Sequence, residues 1–159
     1  MEHKTNVMRV LQRAKVPCNQ YTYDAEKAVS GAEVAAALGQ NPKQVFKTLV
    51  TLGKSRKPYV FLVPVEEELD LKKAAKACGE KSVEMLKSKE LLPLTGYVHG
   101  GCSPIGMKKF FPTFIDESSS AFKTIIFSGG KRGFQVEVSL EDLSKIIPFT
   151  LAPLCLEQE

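Results

Sequence analysis

Tryptophan is absent from this chain, and histidine is limited to His3 and His99. A histidine-rich zinc centre and the H-x-E pattern of the zinc deaminases are therefore excluded. The four cysteines, Cys18, Cys78, Cys102 and Cys155, are scattered and include no C-x-x-C pair. They read as reduced, small core residues rather than as a disulfide framework. Only Cys102 lies in a segment with other functional signs, and no base accompanies it in sequence to make it a nucleophile. No run approaches the roughly 18 uncharged apolar residues of a membrane span. There is no G-x-S-x-G elbow and no dinucleotide fingerprint. Neither sign of charge dominates: 22 basic and 18 acidic residues leave a net +4. That balance favours an anionic partner mildly but falls short of the basic stripe of a dedicated nucleic-acid binder.

What is present fits one globular domain over residues 1–159, with 43% apolar and 25% charged residues. A chain of this size buries roughly 70% of its unfolded surface and needs no disulfide or structural metal. The polar start Met1-Glu2-His3-Lys4 is unlike a signal peptide, so a cytoplasmic protein without membrane attachment is expected. Neither a metal nor a cofactor is called for.

Periodicity and punctuation mark the elements. Val7, Leu11 and Ala14 recur at helical spacing until Val16-Pro17 stops them. Asn19 to Tyr23 reads as a strand. Ser30-Gly31-Ala32-Glu33 is a capping box opening a helix that Gly39 closes. Asn41 to Gln44 forms a capped turn, and Val45–Leu52 with Tyr59–Val63 predicts a hairpin around a basic turn. A helix from Asp70 to Cys78 should present Leu71, Ala74, Ala75 and Cys78 on one face and end at Gly79. Ser82 to Met85 reads as a short strand, and Ser88 to Leu92 as a helix ended by Pro93. Beyond a glycine-rich stretch, Phe110 to Ile115 is β-prone and Glu117 to Ser120 reads as a polar loop. Lys123–Phe127 and Phe134–Val138 should pair across Ser128–Gly133, and Ser139 caps a last helix running towards Ile147-Pro148. The sum is a mixed α+β domain with hairpins and peripheral helices.

Three constellations can carry chemistry. Lys47 interrupts an apolar strand; on alternation alone it faces water, whereas the functional alternative places its cation at a pocket mouth. Gly100-Gly101-Cys102-Ser103-Pro104-Ile105-Gly106 allows close approach of backbone amides to a ligand or forms a plain turn. It is not a P-loop, because Met107 stands where the lysine is required. Ser128-Gly129-Gly130-Lys131-Arg132-Gly133 is longer than a minimal hairpin turn. It is either a basic exposed turn or a loop offering amides, a hydroxyl and two cations to a nucleic-acid phosphate. The acidic run Glu66-Glu67-Glu68 reads as solvated loop.

Taken in order, Asn41-Pro42, Val45-Phe46-Lys47-Thr48-Leu49, Leu69-Asp70-Leu71-Lys72-Lys73, Thr95-Gly96-Tyr97-Val98, Gly100 to Lys109 and Ser128 to Gly133 resemble the YbaK/EbsC family of Cys-tRNA(Pro) deacylases. The resemblance covers nearly the whole chain. It implies a mixed, barrel-like β-sheet flanked by helices, with a pocket for the aminoacyl-adenosine 3′ end of tRNA(Pro). It implies catalytic roles for Lys47, Gly100 and Gly101, and substrate contacts by Tyr21, Ser30, Ser128, Gly129, Gly130, Arg132 and Gln135. Prolyl-tRNA synthetase is an implied partner. In such proteins the substrate cysteine is thought to attack its own ester, which agrees with a sequence that offers neither nucleophile nor metal.

Two positions depart from the family pattern. Gln135 stands where members often carry Asp, and Ser30 where some carry an aromatic residue. Both bear on substrate choice, so a deacylase for another mischarged tRNA such as Ala-tRNA(Pro) is the alternative enzyme. A non-catalytic module binding tRNA or a synthetase is the alternative from another class.

Overall fold

The computed structural model describes residues 5–157; the polar Met1–Lys4 start, including His3, lies outside the described residues. Helix α1 (Asn6–Arg13) begins where the Thr5 hydroxyl accepts from the Met8 amide, and it buries Val7, Met8 and Leu11. Strand β1 (Asn19–Thr22) follows, then α2 (Gly31–Ala37), whose Ser30–Glu33 capping box is complete in both directions. Strands β2 (Phe46–Gly53) and β3 (Pro58–Pro64) form the expected antiparallel hairpin, Lys47 opposite Val63 and Leu49 opposite Phe61. Helix α3 (Leu71–Cys78) starts at the Asp70 cap and ends at Gly79. Of its predicted apolar face, Ala74 and Ala75 are buried, while Leu71 is exposed.

Strand β4 (Val83–Met85) pairs with the far end of β2. Helix α4 (Ser88–Thr95) runs two residues past Pro93, contrary to the sequence expectation. Proline lacks only its own amide, so in so short a helix the bond from the Gly96 amide to the Leu92 carbonyl still forms and carries the turn onward. The glycine-rich stretch is irregular up to β5 (Thr113–Asp116). The polar loop after it is wound into a 3₁₀ turn, Glu117–Ala121, because the Asp116 carboxylate caps the Ser118 amide. Strands β6 (Ile125–Ser128) and β7 (Phe134–Val138) pair as expected, with Ser128 opposite Gln135. Helix α5 (Leu140–Ser144) is shorter than predicted, and β8 (Thr150–Ala152), not foreseen, lies parallel to β5.

The strands form two sheets, β1-β7-β6 and β4-β2-β3-β5-β8. They meet at one parallel bridge between Val45 and Ile126, so the mixed sheet is barrel-like in its wrapping but not closed. Strand β3 is buried on both sides. Val60 and Leu62 enter the larger core with α1 and β6, whereas Tyr59, Phe61 and Val63 enter a second core under α3. This accounts for its unbroken apolar run. Full burial of a side chain such as Phe61 contributes about 1.5–3 kcal/mol. No helix among the described residues is long and apolar enough to cross a membrane.

Candidate functional site

A cleft of about 500 Å³ opens where the two sheets part. Every residue from Val45 to Val50 lines it. Side chains of alternate residues point to opposite faces, so consecutive lining residues mean that the edge of β2, not one face, forms this wall. The opposite wall is built by Ser128, Phe134 and Gln135 of the β6–β7 hairpin and by the His99–Gly100 turn. The lining is completed near α2 by its cap Ser30 and by Val34, and around the start of α4 by Leu86, Ser88 and Leu91.

Five of the sequence-predicted residues therefore converge: Lys47, Gly100, Ser30, Ser128 and Gln135 all line the cleft. Lys47 shares a face of β2 with Leu49, beside the α3 core, and its side chain is 30% exposed with the ammonium 4.0 Å from Glu68. The acidic run thus has a member near the candidate cation, although Glu68 itself is largely in water. Ser30 is tied up as the α2 cap. The Ser128 hydroxyl accepts from the Gly130 amide and keeps its own proton for a ligand. Gln135 is buried, and its side-chain oxygen accepts from Gln40 Nε2 at 2.7 Å, which leaves the Gln135 amide group as a donor. Gln40 Oε1 is buried beside this pair without a partner.

The remaining predicted residues do not line the cleft. The Tyr21 hydroxyl donates to Glu137, which also accepts from Thr124 and Asn19, so Tyr21 belongs to a polar tie across β1, β7 and β6. That bond, with burial, raises the Tyr21 pKa above 10. Burial works against ionised Glu137, but the bonds from Thr124, Tyr21 and Asn19 prevail and hold its carboxyl below the usual range. The Gly101 amide is engaged by the Val98 carbonyl, so it is not a free oxyanion donor. Gly101 matters for approach instead: a Cβ there would sit 3.2 Å from the backbone of both Lys131 and Arg132. The two glycine-rich loops, 30 residues apart in sequence, thus rest on one another. Arg132 Nε donates to the His99 carbonyl at 2.9 Å and braces the same turn. The Gly129 amide bonds to the Phe134 carbonyl and shapes the hairpin end, and Gly130 turns with φ of 99°.

Sequence reasoning missed Tyr23, Thr48, Ser88 and the placement of His99, all of which line the cleft. Nothing in their spacing marks them; only the parting of the strands brings them together. Cys102 lines it too, but burial pushes its thiol up to about 12, which keeps it protonated and a poor nucleophile. Among the described residues no three His, Cys, Asp or Glu side chains converge on a point that could hold a metal ion.

Residues 25–146 match the model of the aminoacyl-tRNA editing domain. The chain belongs to that family. This editing domain is 49% identical, over 141 residues, to the protein of Enterococcus faecalis named Cys-tRNA(Pro)/Cys-tRNA(Cys) deacylase EbsC, covering 88% of this chain and 86% of that one. It is 28% identical over 134 residues to a proline–tRNA ligase of Thermosipho melanesiensis, covering 77% of this chain and 23% of the ligase. Among solved structures it superposes with a TM-score of 0.81 on a trans-editing enzyme for prolyl-tRNA synthetase, at 24% identity, over 98% of this chain and 100% of that one. A hypothetical protein gives a TM-score of 0.86 at 21% identity, covering 96% and 100%. At those identities the structural likeness establishes the shared fold.

Proposed function

We propose that this editing domain removes cysteine from mischarged Cys-tRNA(Pro) in trans, as a single catalytic unit over residues 1–159 working in the cytoplasm, where tRNA is charged. The observation that carries the reading is the 49% identity to a named Cys-tRNA deacylase across nearly the full length of both chains. The cleft is consistent with it. Its volume suits a nucleoside carrying a small acyl group, and it combines a cation, backbone amides and a buried amide with apolar walls.

Among the described residues Cys102 is the thiol that lines the cleft, and burial holds it protonated; in the mechanism we propose the attacking group comes from the substrate. The cysteinyl thiolate attacks its own ester carbonyl, forming a C–S bond. The tetrahedral oxyanion then collapses and breaks the C–O bond to the ribose. The ribose oxygen takes up the proton that the thiol gave away, and the products are a thiolactone and free tRNA. Such a step needs orientation, which can be worth several kcal/mol when the reacting groups are held close. It also needs support for the oxyanion, where one well-placed donor contributes about 3 kcal/mol. We assign the second task to Gly100, the anchoring of the negatively charged 3′ end to Lys47, and contacts with the aminoacyl-adenosine to Gln135 and Ser128, all of which line the cleft. Prolyl-tRNA synthetase is the natural source of the mischarged substrate and the partner we propose.

The test is incubation of the protein with Cys-, Ala- and Pro-charged tRNA(Pro) while the ester bond is followed. Loss of the cysteinyl ester with release of thiolactone is expected. Persistence of all three esters would remove the enzymatic reading and leave a binding module.

A further inference from the structure

Strand β2 changes partner along its length. Its start is bridged to β6 at Val45–Ile126, and its end pairs with β4 from Thr51 onward. Bonds from Val65 to the Val45 carbonyl and from Gly53 to the Lys57 carbonyl fix the register: odd-numbered residues turn their main-chain groups to β3. Even-numbered residues turn theirs the other way, as the bonds from Ile126 to the Gln44 carbonyl and from Leu86 to the Val50 carbonyl confirm. Between those two contacts no strand among the described residues pairs with β2 on that side. The Phe46 carbonyl with the Thr48 amide, and the Thr48 carbonyl with the Val50 amide, thus form two acceptor–donor pairs directed at the cleft that these residues line.

We infer that this interrupted edge of β2 reads the base of a terminal adenosine. The gap is closed by β6 at one end and by Leu86 at the other, so an added peptide strand has no room to run through. A planar heterocycle fits where a strand does not. Adenine carries an amino donor flanked on both sides by ring-nitrogen acceptors, so either of its edges matches one carbonyl and the amide two residues on. Partly exposed apolar neighbours of the edge, Phe134, Leu86 and Leu91, supply surface for the base faces. This rests on the deacylase reading above and adds the element that recognises the nucleotide. The recognition comes from main-chain atoms, which is why no side-chain motif announces it.

The test uses the unaltered protein and two substrates, cysteinyl-tRNA(Pro) ending in adenosine and the same molecule ending in inosine, both charged by a ribozyme. Inosine sets a carbonyl against the protein carbonyl, so its ester should be cleaved on the order of 10- to 100-fold more slowly. In parallel, free adenosine should move the ¹⁵N-amide resonances of Thr48 or Val50, and free inosine should not. Equal cleavage of the two esters would overturn the base-reading edge and leave the deacylase intact. Cleavage of neither would instead remove the deacylase reading. The amide shifts then decide the base site by themselves, because unmoved Thr48 and Val50 resonances with adenosine overturn it.

Discussion

Lys47 lies at the rim of β2 with its ammonium 4.0 Å from Glu68, whose side chain is 77% exposed. A pair so open to water is worth about 0–1 kcal/mol. Lys47→Ala should therefore shift the thermal midpoint by no more than a few degrees, while turnover of Cys-tRNA(Pro) falls by roughly 100-fold or more. A melting curve and a deacylation assay on the same sample check this; a large loss of stability with turnover retained would return the residue to a structural role. At this scale the sequence was informative about which residue types mattered and less so about their use. Lys47, Gly100, Ser128 and Gln135 were legible and converge. Tyr21 and Arg132 were legible as polar or basic groups, but their partners, Glu137 and the His99 carbonyl, lie 116 and 33 residues away. No local pattern encodes such contacts.

Element by element, the parts that local chemistry controls were readable. The Ser30 capping box, the Gly79 stop and the β2–β3 hairpin all form where their residues demand, while Asp70, expected as the first residue of its helix, is instead the cap. What escaped depends on distant pairing: β8 exists only because β5 offers it an edge. The small sheet is held at its polar face by Glu137, which gathers Tyr21, Thr124 and Asn19. Its carboxyl titrates below the ordinary 4.5 in the folded state. The contribution of that charge is thus present above about pH 4.5 and lost as pH falls through the lower, folded value. Denaturant midpoints measured from neutral to acid pH should fall less steeply for Glu137→Gln than for the parent across that interval. Superimposable acid limbs would show that Glu137 contributes nothing through its charge.

Across the whole molecule, the candidate site arises from a break in regularity. Strand β2 belongs to one sheet, touches the other at a single bridge, and between those contacts leaves the cleft. Hydrophobic periodicity identified the strand but could not show which neighbour it leaves, because pairing between β2 and β6 joins segments some 80 residues apart. The cleft so formed is lined by Lys47, by main-chain groups of β2 and by the protonated Cys102, and in the mechanism proposed above the substrate brings its own nucleophile. The most direct measurement compares single-turnover cleavage of cysteinyl-tRNA(Pro) with that of 2-aminobutyryl-tRNA(Pro), which has a methyl group in place of the thiol and nearly the same shape. Loss of the cysteinyl ester at least about 100-fold faster is the predicted result, since an ester without a thiol cannot perform the intramolecular attack. Equal rates for the two would contradict the account.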